Sequence, residues 1–328
     1  MAALAAGAGL PAAYLFPIPA ARTSNFYQVD AATSLFPFLT APAMVYQGEI
    51  TLPQFQPAPS GGDGSALKTS IWQTDSNLAN LGVTAPSAKV THRFPFPAKA
   101  ADMTIPILVT MPDETVLAAA GQTKPATGWP VIIYVHGITS DRSASIPMAD
   151  ALANACITPG APAGTPCFAT VAIDQPLHGV AASGSTVPGL MSVIDDVTPM
   201  PAGNLPGGAP NVPSALLTER HFNFTADAAA NPVLMDYANN LGGSGSLFIN
   251  LTNFENSRDS LRQMVIDLLN LNASIDSMDV NADGVTDDLD PSKVYFIGHS
   301  LGAVDGIPFV AINNSAAVQS STFSAQPK

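Results

Sequence analysis

The residues whose types and spacing could do chemistry lie close together near the end of the chain, at Gly298-His299-Ser300-Leu301-Gly302. This is a G-x-S-x-G pattern, entered from the wholly apolar run Val294–Ile297 and left through residues able to form a helix. A serine held on such a sharp turn presents its hydroxyl above the end of a sheet. The flanking glycines are needed because a Cβ at either position would collide with the neighbouring strand or helix. The first amides of the following helix, Leu301 N–H foremost, then face the place where an oxyanion would form. The chemistry this suggests is acyl transfer to Ser300. An ordinary strand-to-helix turn that carries a serine is the other reading.

Acyl transfer of this kind needs a second oxyanion donor, from the loop after an earlier strand. Val131–Val135 runs into His136-Gly137-Ile138, where Gly137 permits a sharp turn and Ile138 N–H can join Leu301 N–H. His136 has two candidate roles, as general base or as a brace for that loop. His178, in Asp174-Gln175-Pro176-Leu177-His178-Gly179, follows the next strand and reads as a brace. His299 reads as packing, and His92 and His221 have no motif around them. In this arrangement the acid and the histidine follow the serine. Only 28 residues follow Ser300, with no histidine and Asp305 as the sole acid, on an element leading away. The expectation is therefore that the natural protein continues beyond Lys328, since the serine strand would otherwise be an apolar sheet edge.

The elements that must position these groups are legible as apolar runs. Val131–Val135, Phe168–Ile173 and Val294–Ile297 read as buried strands separated by helices. That predicts an α/β fold with a mostly parallel sheet flanked by helices, cut off after the elbow. Val90–Phe96 and Met103–Met111 read as two more strands, with Pro95 and Pro106 suggesting edges or bulges. Pro147 to about Ala155 reads as a short helix with Met148, Leu152 and Ala155 on one face. Arg258–Leu271 reads as a helix with Leu261, Met264, Val265, Leu268 and Leu271 inward and Arg258, Asp259, Arg262 and Asp267 flanking or opposing that stripe. Residues 1–85 read as an irregular accessory segment and 86–328 as a partial hydrolase domain. The 176–247 stretch is a loop or lid insertion.

Composition narrows the classes further. The 328 residues are 47% hydrophobic and only 11% charged, so a large core is affordable. A net charge of −13 with 12 basic residues argues against nucleic acid and anionic membrane surfaces as partners. No transmembrane helix is expected, because Pro11, Pro17 and Pro19 interrupt the uncharged N-terminal stretch, and that stretch has no basic region to open a signal peptide. Cys156 and Cys167 flank a turn-rich decapeptide and are expected to form a disulfide, with two buried thiols as the alternative. Asp279, Asn281, Asp283, Asp287 and Asp290, with Gly284 at position six, match the oxygen-ligand spacing of a calcium loop. An acidic solvated turn fits the same residues. Such an ion would stiffen the approach to the serine strand, and the chemistry itself calls for no cofactor.

Taken in order, several runs resemble one family. They are Gly128-Trp129-Pro130-Val131, His136-Gly137-Ile138-Thr139-Ser140-Asp141-Arg142, Ile173 to Gly179, Ser257-Arg258-Asp259-Ser260-Leu261-Arg262-Gln263 and the elbow. As a set they resemble the bacterial extracellular lipases with a virulence-factor lipase N-terminal domain, a group that includes surface lysophospholipases. The resemblance covers roughly residues 100–310. It implies an α/β-hydrolase fold, hydrolysis of lipid or other carboxylic esters, an extracellular or cell-surface location, and Ser300 as nucleophile. The family's acid and histidine match nothing in this sequence. The rival reading is a non-catalytic, calcium-stiffened surface binding module on a hydrolase scaffold. Oligomeric state and acyl-chain preference are not encoded in any motif.

Overall fold

A computed structural model of the chain describes residues 19–28, 43–76, 84–180, 218–236 and 243–319, together with Gly82. The apolar runs become one six-stranded sheet. Its strands are β1 (Ser24–Gln28), β2 (Met44–Gln54), β3 (Ala101–Met111), β4 (Trp129–Val135), β5 (Ala169–Ile173) and β8 (Leu289–Gly298). They lie in the order β1-β2-β3-β5-β4-β8, and a separate hairpin pairs β6 (Phe224–Ala226) with β7 (Pro232–Leu234). The α/β class is as expected, but the sheet is mixed rather than mostly parallel. β5, β4 and β8 run parallel, whereas β1, β2, β3 and β5 pair antiparallel in turn.

The first two strands correct the expected division of the chain. Residues 24–28 and 44–54, read as accessory, pair directly with the rest of the sheet, β2 matching β3 along its whole length from Met44↔Met111 to Gln54↔Ala101. The pattern of β2 hid this, because Gln47, Glu49 and Gln54 are buried polar residues within the strand. Val90–Phe96 is not a strand. Thr91 and Phe94 exchange backbone hydrogen bonds in a tight turn, and only isolated bridges such as Gln73↔Lys89 occur nearby. Pro106 lies in an interior strand rather than at an edge. It is tolerated because β3 pairs with β5 only from Ile107 onward.

Helices cover the sheet: α1 (Ser65–Thr69), α2 (Glu114–Ala119), α3 (Ile146–Ala153), α4 (Phe254–Ser274), α5 (Leu301–Asn313) and α6 (Ala316–Gln319). In α3 the buried face is Ile146, Ala149, Asp150 and Ala153, one step round from the face expected. The Asp150 carboxylate explains the difference, since it accepts the Ala43 amide at 2.7 Å and so faces inward. α4 starts at Asn253, whose side chain caps the Asn256 amide. Met264, Leu268 and Leu271 are fully buried as expected, but Asp259 and Asp267 are buried too. The chain preceding β3 covers that polar side. Asp259 accepts the Trp72 amide at 2.8 Å, and Gln263 accepts the Phe55 amide at 2.9 Å while donating to the Pro53 carbonyl at 2.8 Å.

Cys156 and Cys167 are joined in a disulfide with Cα atoms 4.8 Å apart, tying the residues after α3 to the start of β5. Of the expected 176–247 insertion, residues 181–217 and 237–242 lie outside the described residues. No helix among the described residues is long and apolar enough to cross a membrane.

Candidate active site

β8 ends at Gly298, and the chain turns into α5 through Ser300, which holds φ +52° and ψ −113°. A non-glycine residue with positive φ is strained by about 1–3 kcal/mol. The cost is imposed by packing on both sides of the turn. A Cβ on Gly298 would lie 2.6 Å from Ala303 N, and one on Gly302 would fall onto the Val135 carbonyl oxygen. Both flanking positions therefore admit only glycine. His299 N–H donates to the Val135 carbonyl at 2.9 Å, which fastens the turn to the end of β4. Ser300 is exposed, as is His299, so the packing expected of that histidine is not its role.

The loop after β4 sits against the turn. A Cβ on Gly137 would lie 3.2 Å from Ser300 Cβ and 3.0 Å from His299 Nδ1, so the absence of a side chain lets the two backbones approach. Gly137 and Ser300 are thus brought together from the ends of two neighbouring parallel strands, with Ile138 and Leu301 the next residue along each chain segment. Among the described residues no main-chain acceptor takes the Ile138 or Leu301 amide in the turns and loops.

His136 fixes the loop rather than reaching the serine. Its ring is fully buried, and Nε2 accepts the Gln175 amide at 3.1 Å. The proton is therefore on Nδ1, which donates to the Gly137 carbonyl at 2.7 Å. The C=O and N–H of a trans peptide point in opposite directions. Holding the Gly137 carbonyl toward His136 therefore turns the Ile138 N–H away from it. Gln175 Nε2 closes the clamp with a 2.6 Å bond to the His136 carbonyl. With both ring nitrogens engaged, His136 has no nitrogen left to act as the general base. Burial lowers its pKa, and the opposing pull of Asp174 does not reverse this.

A second neutral histidine braces the next peptide. His178 Nε2 accepts the Thr139 amide at 3.3 Å and Nδ1 donates to the Pro176 carbonyl at 2.9 Å. Burial, followed by the neighbouring His136, pushes its pKa down to about 3. Thr139 and Leu177 both hold positive φ, at 62° and 63°, so the two loops are locally strained like the elbow. A Cβ on Gly245 would overlap the His178 ring, which places the 243–248 segment directly over this histidine. His221 is buried with Nε2 3.1 Å from the Val180 carbonyl, and His92 is exposed. None of the five histidines makes a hydrogen bond to Ser300 among the described residues.

Beneath the loops is a buried ionic network that sequence reasoning did not assign. Arg142 bonds Asp174 at 2.5 Å and Glu219 at 2.7 and 2.9 Å, and its amide donates to Asp174 at 2.7 Å. Burial would depress the Arg142 pKa, but Glu219 and Asp174 carry it above its ordinary value. Burial likewise works against the Asp174 charge, yet Arg142 holds that carboxyl below the usual range. Arg220 bonds the Asp174 carbonyl at 2.8 Å and Asp267 at 2.6 Å, linking the end of β5 to α4. The available signal was position: Asp174-Gln175 directly follows an apolar strand, and Asp141-Arg142 directly follows the glycine loop.

The acidic loop before β8 is arranged differently from the five-ligand set expected. Asp279, Asn281 and Asp283 cap amides of their own turn, with Asp279 accepting Gly284 N–H at 2.8 Å. Asp287 instead pairs with Lys124 at 2.9 Å, and Asp290 bonds Thr127 at 2.9 Å and Ser292. Among the described residues no three such side chains converge on one point. The last two of the five, Asp287 and Asp290, face the segment leading into β4 rather than the turn that holds the first three.

No protein family, curated protein or solved structure matches the chain.

Proposed function

We propose that this chain carries the nucleophile and oxyanion hole of a serine carboxylic ester hydrolase of α/β-hydrolase type, acting on lipid or other acyl esters. The observation that carries the reading is the strained, exposed Ser300 on a strand-to-helix turn with the Gly137 loop of the adjacent parallel strand packed against it. That combination is what a serine acyl-transfer site needs: a nucleophile lifted off the sheet and main-chain donors from two elements beside it. The strand order, with an antiparallel strand next to the parallel set, also suits this fold type.

Ser300 Oγ attacks the acyl carbon, and the carbonyl oxygen takes up negative charge facing the Ile138 and Leu301 amides. One such donor contributes about 3 kcal/mol to the transition state. The serine proton must pass to a base, and among the described residues none of the five histidines hydrogen-bonds Ser300, so this reading calls for a further group beside the serine. Collapse of the intermediate breaks the ester C–O bond and releases the alcohol, which takes up that proton; water then hydrolyses the acyl-enzyme, freeing the acid and restoring the Ser300 hydroxyl. The disulfide fits an oxidising compartment, in keeping with an extracellular or cell-surface role.

Labelling of the natural protein with a fluorophosphonate probe tests the proposal. A covalent adduct on Ser300, abolished in Ser300→Ala, is expected. A protein that turns over esters without a Ser300 adduct overturns it.

A further inference from the structure

On the flank of the elbow helix, α4, α5 and the residue 90–97 turn line an open cleft with a volume of about 620 Å³. This is within the range of sites that hold small organic ligands. Leu261 and Val265 of α4, Pro308 and Ile312 of α5, and Trp72 give it an apolar lining. None of Gly137, Ile138, Ser300 or Leu301 borders it.

One lining residue is out of character. Asp305 is 1% exposed, and among the described residues neither of its carboxyl oxygens has a hydrogen-bond partner. A buried polar group left in this way costs about 1–3 kcal/mol, a cost that a bound molecule with its own hydroxyl would relieve. Burial first, and then the nearby Asp267, keep this carboxyl in its neutral form at neutral pH. A neutral carboxyl both donates and accepts, matching an O–H group on a ligand.

We propose that this cavity binds a single-chain amphiphile whose head group is an uncharged hydroxyl, with the hydroxyl on Asp305 and the alkyl chain along Leu261, Val265 and Pro308. The long-chain alcohol and the undissociated fatty acid share that chemistry. The inference stands independently of the esterase reading.

Trp72 lines the cavity, whereas the only other tryptophan, Trp129, is buried in β4. A terminally brominated undecanol should therefore quench Trp72 emission saturably, and a Trp129→Phe variant isolates that signal. The expected result is an affinity for the bromoundecanol about tenfold above that for bromoundecane, the worth of one buried hydrogen bond. Ser300→Ala should keep this difference. Asp305→Asn, which can still donate and accept, should retain most of it, and Asp305→Leu should abolish it while still binding both chains. No saturable quenching in the wild type, equal affinity for alcohol and alkane, or a preference that survives Asp305→Leu would each overturn the proposal.

Discussion

Replacing Asp305 with leucine should stabilise the protein by an amount that grows with pH. Burial, with a smaller push from Asp267 and partial opposition from Arg220, raises this carboxyl from 3.8 to about 8. The sign follows from proton binding. Between those values the folded protein keeps the proton that the unfolded chain has released, so the contribution of Asp305 is complete below 3.8 and is lost as pH rises toward 8. The loss is about 1.4 kcal/mol for each pH unit crossed. A leucine has no proton to hold, so the gap between Asp305→Leu and wild type should widen at that rate from about pH 5 to about pH 7. On top of the slope lies a pH-independent gain of about 1–3 kcal/mol from removing two unpartnered oxygens. The cavity beside the residue gives the larger side chain room. Guanidinium unfolding midpoints at several pH values measure the gap. Asp305→Asn separates the two parts, since it removes the titration while keeping polar atoms in place. His92, Arg258 and Arg262 border the same cavity and are common to all three proteins. Parallel stability curves for wild type and Asp305→Leu would mean that the carboxyl ionises normally in the fold, and the reasoning would be refuted.

Ser300→Gly should remove the nucleophile yet raise the melting temperature, because glycine accepts the positive φ at no cost; the gain is about 1 kcal/mol, and Ser300→Ala should not show it. Gly302→Ala should destabilise by about 2–3 kcal/mol in denaturant titration, since its methyl group meets the end of β4. His136→Ala frees the Gly137–Ile138 peptide, and the rate of fluorophosphonate labelling should fall about a hundredfold, as for the loss of one oxyanion donor; an unchanged rate would show that the ring does not set that peptide. Arg142→Ala leaves Asp174 and Glu219 buried without a cation and should cost about 3–5 kcal/mol by equilibrium unfolding.

Strands with uninterrupted apolar sequence were legible in advance, as was α4, because their environment on the sheet is uniform. β2 was not, since its buried Gln47, Glu49 and Gln54 imitate an irregular polar segment. The reverse error befell Val90–Phe96, where strand-like residues form a turn between prolines. Within the candidate site, Gly298, Ser300 and Gly302 announce themselves because a strained turn restricts which residues are allowed. Gln175, Asp174 and Arg142 do not, since their task is set by partners up to 77 residues away in sequence. Asp259 and Asp267 read as solvent-facing because periodicity reports only which residues differ, not what covers the polar side.

The way the early chain is tied to α4 has a consequence for synthesis. The Arg22 amide waits for Ser274 and the Trp72 amide for Asp259, so the first strands leave the ribosome long before their acceptors exist. Nascent intermediates would then keep these donors on water, with the strands unable to bury them, until nearly the whole helix has been translated, which makes this stage the natural one for chaperone engagement. An arrest series stopped before and after residue 274 has cleared the ribosomal exit tunnel would reveal the dependence as an abrupt gain in protease resistance.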